Sequence, residues 1–293
     1  MAAQEIDPRI YELYDEYCHS EMPRREFLKR AAAIVVASGS GLAMAQALLP
    51  QYANAQTISF TDERIKARYV TYPSPGGNAP EMRGYLVQPA GAGPFPSVIV
   101  IHENRGLNPY IEDVARRAAV EGFIALAPDA LTAAGGYPGN DDDGKVMQKQ
   151  LDGEKIFVDM LTSANFVKGH EKSNGKLGAT GFCFGGGVTN RLAVELGEDL
   201  KAAAPFYGRA PDIAGVGRIK AKLVIHYADD DPRVNATRAD YEAALKAAGA
   251  EFEMHSYPGT KHGFHNNSTP RYDEAAAKLA WERTIALFKE TLS

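Results

Sequence analysis

The stretch GFCFGGG, Gly181 to Gly187, stands between KLGAT, the end of an apolar strand-like run, and VTNRLAVEL, which has helical spacing. A residue on so sharp a strand-to-helix turn needs neighbours without a Cβ, because added atoms would strike the strand or the helix. Gly181 and Gly185 bracket Cys183 in the G-x-nucleophile-x-G arrangement of a nucleophile elbow. Amides at the N-terminus of the following helix would face the sulfur and favour its thiolate. The Phe184 amide would face a developing oxyanion. A phosphate-binding loop would end in Gly-Lys-Ser/Thr, and here the run ends Gly187-Val188-Thr189; a dinucleotide fingerprint needs glycine where Cys183 stands. Plain tight packing of strand and helix is the remaining alternative.

Outward from this turn, β-rich runs alternate with helical stretches from residue 56 onward. ARYVTYPSPGGNAPEMRGYLVQP predicts an edge hairpin, and PSVIVIHE a strand buried on both faces. YIEDVARRAAVEG predicts a helix ending at Gly122, followed by the strand FIALAPD. A polar connection, LTAAGGYPGNDDDG, leads into one long helix over residues 145–170. KAAAPFYG and AKLVIHYA are further strands, NATRADYEAALKAAG a helix, EFEMHSYPG the last strand and YDEAAAKLAWERTIALFKETL the last helix. This alternation implies an α/β fold with a mostly parallel sheet covered on both faces. With no linker or internal repeat, residues 56–293 form one domain.

Sites in such sheets gather beyond the C-terminal ends of the strands. Besides the Cys183 turn, two ends carry reactive residues. In IHYADDDPRVNA, Asp231 leads as an acid because it stands three residues before Val234 at a loop-to-helix entry; Asp229 and Asp230 remain alternatives, as turn carboxylates or a helix N-cap. In YPGTKHGFH, His262 sits in a glycine-flanked loop where a base can reach over the elbow, with His265 as runner-up. His102, His170, His226 and His255 read as structural or surface residues, although His102 ends a central strand and could line a pocket. The chain order Cys183, Asp231, His262 is nucleophile, acid, base, as in α/β-hydrolases.

Residues from about 65 to 291 resemble the dienelactone hydrolase (carboxymethylenebutenolidase) family in VIVIHENRG, GFCFGG, HYADDDPRV and YPGTKHGF. The resemblance implies an α/β-hydrolase fold: a mostly parallel central sheet of about seven to eight strands flanked by helices. It implies a Cys183–His262–Asp231 triad and an acyl-thioenzyme intermediate. It also implies a carboxylate, Glu103, that keeps the thiol neutral at rest and takes its proton when substrate arrives. Pairing with Arg105, or capping of the helix from Asn108, is the alternative role for Glu103. The Asn104 amide would join that of Phe184 in the oxyanion hole. The chain departs from the family at the substrate-anchoring arginines. Asn266 stands four residues after His262, and LTAAGGYPG contains no arginine. Arg105 and Arg209 follow strand ends and are candidate substitutes; His102 and Tyr207 are further candidate substrate contacts. The expected activity is thiol-dependent cleavage of a small ester or lactone, without a cofactor. The alternatives are a non-catalytic ligand-binding protein on the same fold and a peroxide-reactive single-thiol protein. The acidic run at 141–143 lacks the twelve-residue calcium pattern and reads as a solvated loop, so no metal is expected.

The N-terminus has a different character. PRREFLKR, Pro23 to Arg30, precedes AAAIVVASGSGLAMAQALLP and then ANAQ. Paired arginines, a Gly/Ser-diluted apolar run and small residues spaced A-x-A resemble a twin-arginine export signal cleaved after Ala55. Residues 1–55 are then a separate segment, handled by the twin-arginine export machinery, and the mature protein is periplasmic or otherwise exported. Pro23 replaces the Ser or Thr that commonly precedes the arginines. The lead-in IYELYDEYCHSEM has amphipathic helical spacing, so an amphipathic helix that contains Arg-Arg is the alternative. Cys18 and Cys183 are the two cysteines, too few for a disulfide framework. A net charge of −5 without a basic stripe gives no expectation of nucleic-acid binding. Monomer and homodimer both remain open.

Overall fold

The computed structural model describes residues 7–20, 22–34, 41–47 and 49–293. Among these residues four short helices come first: α1 (Pro8–His19), α2 (Arg24–Ile34), α3 (Gly41–Ala47) and α4 (Tyr52–Ala55). Then follow β1 (Ile65–Pro73), β2 (Glu81–Pro89), β3 (Phe95–Ile101), α5 (Pro109–Val120) and β4 (Ile124–Pro128). α6 (Asp141–Gln150) and α7 (Gly153–Lys168) lead to β5 (Ser173–Phe182), α8 (Phe184–Leu196), β6 (Ala202–Phe206) and β7 (Lys222–Asp230). α9 (Pro232–Asn235), α10 (Arg238–Ala248), β8 (Phe252–Lys261) and α11 (Glu274–Leu292) complete the chain.

The eight strands form one sheet in the order β1-β2-β4-β3-β5-β6-β7-β8. β1, β2 and β4 pair antiparallel and the remaining neighbours pair parallel. This is an α/β-hydrolase sheet, with the expected hairpin at one edge. Parallel strands need helical crossovers, which bury both faces. One core joins Ile111 and Val114 of α5 to Ile285 and Phe288 of α11. The other joins Ile156 and Met160 of α7, Leu192 of α8 and Leu245 of α10. Local signals set the helix ends. Asn108 accepts from Ile111 N with Pro109 in the first turn of α5, and Gly249 closes α10 at φ 65°.

The long helix expected over 145–170 is two helices. Asp152 accepts from Glu154 N and Lys155 N, so its carboxylate caps a new start and the chain breaks at Leu151. The acidic run at 141–143 is the first turn of α6 rather than a solvated loop. Its carboxylates complement the positive end of the helix. In α1 the buried positions Ile10, Tyr14, Tyr17 and Cys18 make the amphipathic pattern, and they pack with Phe27 and Ala31 of α2 and Ala45 of α3. Residues 35–40 and 48 of the export-signal reading lie outside the described residues. No helix among the described residues is long and apolar enough to cross a membrane.

The glycines at the β5–α8 turn meet backbone first. A Cβ on Gly185 would lie 2.3 Å from Ile101 O and 2.6 Å from His102 O; one on Gly181 would lie 2.3 Å from Gly185 O. Relief would require β3 and α8 to separate. Gly185→Ala is therefore expected to destabilise the fold by about 1–3 kcal/mol or more, read as a lowered denaturant midpoint. An unchanged midpoint would refute this account of the turn.

Candidate active site

Cys183 follows β5 and precedes α8, with φ 56° and ψ −112°. It and Tyr207 (φ 36°) are the non-glycine residues with positive φ among the described residues, and both stand at strand ends. Such strain persists only where the surroundings enforce it. Here the glycine contacts and the Cys183 N–H donating to Phe206 O at 3.1 Å do so. The sulfur is partly exposed.

Sheet register brings the other groups to the same edge. Ile101 pairs with Gly181, Phe182 with Phe206, and Asp230 with Lys261. The next residues along (His102 and Glu103, Cys183, Tyr207, Asp231 and His262) therefore emerge side by side. His262 Nδ1 lies 2.5 Å from Asp231 Oδ2, both side chains buried. Asp231 Oδ1 accepts from Val234 N at 3.2 Å, the helix-entry contact anticipated from the spacing. The neighbouring carboxylates are engaged elsewhere: Asp229 accepts from Gly259 N, and Asp230 pairs with Lys261. The Cys183 sulfur also acts on the His262 imidazole, favouring its charged form. Burial works against a charged imidazole at His262, yet the Cys183 sulfur and the Asp231 carboxylate outweigh it and raise its pKa to about 9.

Glu103 is buried and accepts from Asn266 Nδ2 at 3.2 Å. Burial raises its pKa, the Arg105 guanidinium pulls it down and the Cys183 sulfur pushes it up, for a net rise. The Asn108 cap is made by Asn108 itself, so Glu103 does not serve that helix. A cleft of 310 Å³ opens onto the sulfur, walled by Asn104, Phe184, Tyr207 and Arg209 together with Arg233 and Phe157.

Two expected pocket residues lie elsewhere. His102 is fully buried with both ring nitrogens on backbone groups, Glu103 O and Ala130 N, which leaves no edge for a substrate. Arg105 is buried and paired with Asp141 Oδ2 at 3.0 Å, a carboxylate that also accepts from the Tyr52 and Tyr137 hydroxyls. Arg209 is exposed at the cleft wall. His265 is buried against the Tyr110 hydroxyl. Arg271 was not foreseen. Its buried guanidinium packs on Gly263, beside His262, and faces the Tyr14 ring at 4.7 Å. α1 reaches the site as well: Asn104 Nδ2 donates to Cys18 O at 3.1 Å and Lys145 Nζ to Tyr17 O at 2.6 Å. Among the described residues, no group of three or more His, Cys, Asp or Glu side chains could hold a metal ion.

The profile of the Dienelactone hydrolase family matches residues 82–292, which include every residue of this constellation. The chain belongs to the dienelactone hydrolase family. It is 60% identical over 114 residues to "Putative hydrolase fragment YghX" of Escherichia coli (strain K12), spanning 39% of this chain and 97% of that one. It is 31% identical over 247 residues to "Putative carboxymethylenebutenolidase" of Saccharolobus solfataricus, spanning 71% and 94%. Among solved structures, "Putative Dienelactone Hydrolase" from Klebsiella pneumoniae superposes with a TM-score of 0.65 at 27% identity, covering 76% of this chain and 99% of that one. A second profile, described as YqhI-like, matches residues 1–35. As a family member the protein is a hydrolase of the ester- and lactone-cleaving kind.

Of the three adjacent aspartates, Asp231 is the one in contact with His262. Asp231→Asn is expected to lower the pKa of His262 from about 9, because a raising partner is lost; Asp229→Asn and Asp230→Asn leave it in place. NMR titration of the imidazole C–H resonances reads the difference. An equal effect from all three substitutions would refute the assignment.

Proposed function

We propose that the protein is a thiol-dependent hydrolase that cleaves a small ester or lactone through Cys183, His262 and Asp231. The observation that carries the reading is the 2.5 Å contact of Asp231 Oδ2 with His262 Nδ1, with the Cys183 sulfur acting on the same imidazole and opening onto a cleft. The cleft volume of 310 Å³ stands at the small end for ligand sites, which suits a compact acyl group. In this reading the Cys183 sulfur adds to the substrate carbonyl and the oxyanion is held by the Phe184 and Asn104 amides. Each such donor is worth roughly 3 kcal/mol of barrier lowering. Protonated His262 gives its proton to the leaving oxygen, and the acyl-thioenzyme forms. The neutral imidazole, oriented by Asp231, then takes a proton from water as that water attacks, releasing acid and thiol. Glu103, whose buried carboxyl has a raised pKa, is the group that exchanges a proton with the resting thiol.

Cys183→Ala is expected to lower kcat for p-nitrophenyl acetate by roughly 10⁴-fold or more while the melting temperature stays near that of the parent. Turnover undiminished in that variant would end the reading.

We also infer that residues 1–55 form an export segment and residues 56–293 the catalytic domain. Arg24 and Arg25, exposed at the start of α2, are the pair that the twin-arginine machinery would read. The expected outcome is a mature N-terminus at Gln56 in the exported fraction, and retention of the uncleaved chain on replacing both arginines by lysine. Intact chain confined to the cytoplasm in the unsubstituted protein would refute export.

A further inference from the structure

His102 uses its whole imidazole on the backbone. Ala130 N lies 3.1 Å from Nε2, and an amide nitrogen can only donate, so Nε2 is the acceptor and the ring proton resides on Nδ1. Nδ1 lies 2.5 Å from Glu103 O and therefore donates to that carbonyl. Arg105 N donates to the same oxygen at 2.9 Å. Glu103 C=O and Asn104 N–H belong to one planar peptide unit, so fixing the direction of the carbonyl fixes the N–H on its opposite side. The other proposed oxyanion donor is referenced to the same residue. The Phe184 ring stacks on the His102 ring with centroids 6.2 Å apart, and His102 O lies where a Cβ on Gly185 would meet it at 2.6 Å.

We propose that His102 is a positioning residue for hydrolysis. Its neutral imidazole is a strut between Ala130, just after β4, and the Glu103–Asn104 peptide, and it aims the Asn104 N–H at the oxyanion formed beside Cys183. The inference rests on the reading of Cys183 as the nucleophile and the Asn104 amide as an oxyanion donor. The ring is suited to this task because burial outweighs the nearby Asp129 carboxylate and holds its pKa below the ordinary value. A neutral ring keeps one donor and one acceptor; a protonated one would turn a second N–H against Ala130 N–H. The proton on His102 is not used in the reaction. Its contribution is the direction of a peptide.

The test compares two reactions of the same sulfur in the full chain. Hydrolysis of p-nitrophenyl acetate adds the sulfur to a carbonyl and creates an oxyanion. Alkylation by iodoacetamide forms a carbon–sulfur bond as iodide leaves, and creates none. His102→Leu removes the donor to Glu103 O and is expected to lower kcat roughly 10²–10³-fold, the effect of losing one oxyanion donor. KM should move less than about threefold, and the alkylation rate at the Cys183 peptide, followed by mass spectrometry, should stay within about twofold. His102→Asn presents an amide donor near the position of Nδ1 and is expected to recover kcat to within about tenfold of the parent. An unchanged kcat in folded His102→Leu would overturn the proposal, as would parallel loss of alkylation and hydrolysis. Should the leucine variant not fold, the asparagine variant decides alone: a loss above about 10²-fold with normal melting and alkylation overturns it, and retained kcat supports it. The underlying reading fails separately. If complete alkylation of Cys183 leaves hydrolysis intact in the parent, the nucleophile is wrong; if alkylation abolishes hydrolysis and His102→Leu is unaffected, only the strut is wrong.

Discussion

Parallel strands keep their ends in step, and the hydrogen-bond register of β3, β5, β6, β7 and β8 is the constraint on which this site depends. Phe182 beside Phe206 and Asp230 beside Lys261 leave Cys183, Tyr207, Asp231 and His262 at one edge without any long loop to carry them there. A slip of one residue in any of these pairings would turn the next side chain to the opposite face. The register is in turn guarded by close backbone contact at Gly185 and by two residues with positive φ, Cys183 and Tyr207. Local strain at the edge is thus balanced by packing in two cores, one on each face of the sheet. Precision at the site comes from the strands, and the loops add the groups that tune it.

Those groups are charged and buried, so their arrangement decides which protonation states persist. Asp231 and Cys183 both favour a charged His262 against the cost of burial, whereas Glu103 is pushed toward its neutral form by burial and by the sulfur. One imidazole is held ready to carry a proton and one carboxyl ready to hold one. Arg105 does not neutralise Glu103 through a direct contact, because its guanidinium is taken up by Asp141. A Glu103–Arg105 salt bridge would have pinned the carboxylate in its charged form. Diverting the arginine to Asp141 leaves Glu103 with a neutral amide partner, Asn266, and a raised pKa. Asn266, four residues after His262, is itself buried, so this amide meets Glu103 away from water.

Legibility in the sequence followed the range of the signal. The elbow was readable because its glycines answer a local steric demand. Asp231 could be preferred over Asp229 and Asp230 because a carboxylate three residues before Val234 suits a helix start, and that contact is present at 3.2 Å. The break between α6 and α7 is also written locally, in Asp152-Gly153, but the surrounding apolar spacing continues through it and masks the cap. Asp141 could not be read as a half-buried hydrogen-bond acceptor. Its partners, Tyr52 and Arg105, are 89 and 36 residues away in sequence. Arg271 carries no motif, and its place beside His262 follows only from how the chain after β8 folds back. His102 was legible as the end of a central strand, but its inward turn depends on Ala130 N–H, which arrives from β4.

The N-terminal segment shows how a covering element can touch a site without building it. The carbonyls of Tyr17 and Cys18, in the last turn of α1, accept from Lys145 and Asn104. These are contacts to α6 and to a loop, and the sheet register is made by residues from Ile65 onward. The fit is also incomplete. The Tyr14 hydroxyl and Arg271 Nε are buried without a hydrogen-bond partner among the described residues, an arrangement that costs free energy for as long as α1 stays docked. Against that cost, docking of α1 gains from the apolar cluster around Tyr14 and Phe27, from the Tyr14 ring facing the Arg271 guanidinium and from Asp15 Oδ1, 3.6 Å from Arg271 Nη1. The strand ends that place Cys183, Asp231 and His262 are held by the sheet's own pairing.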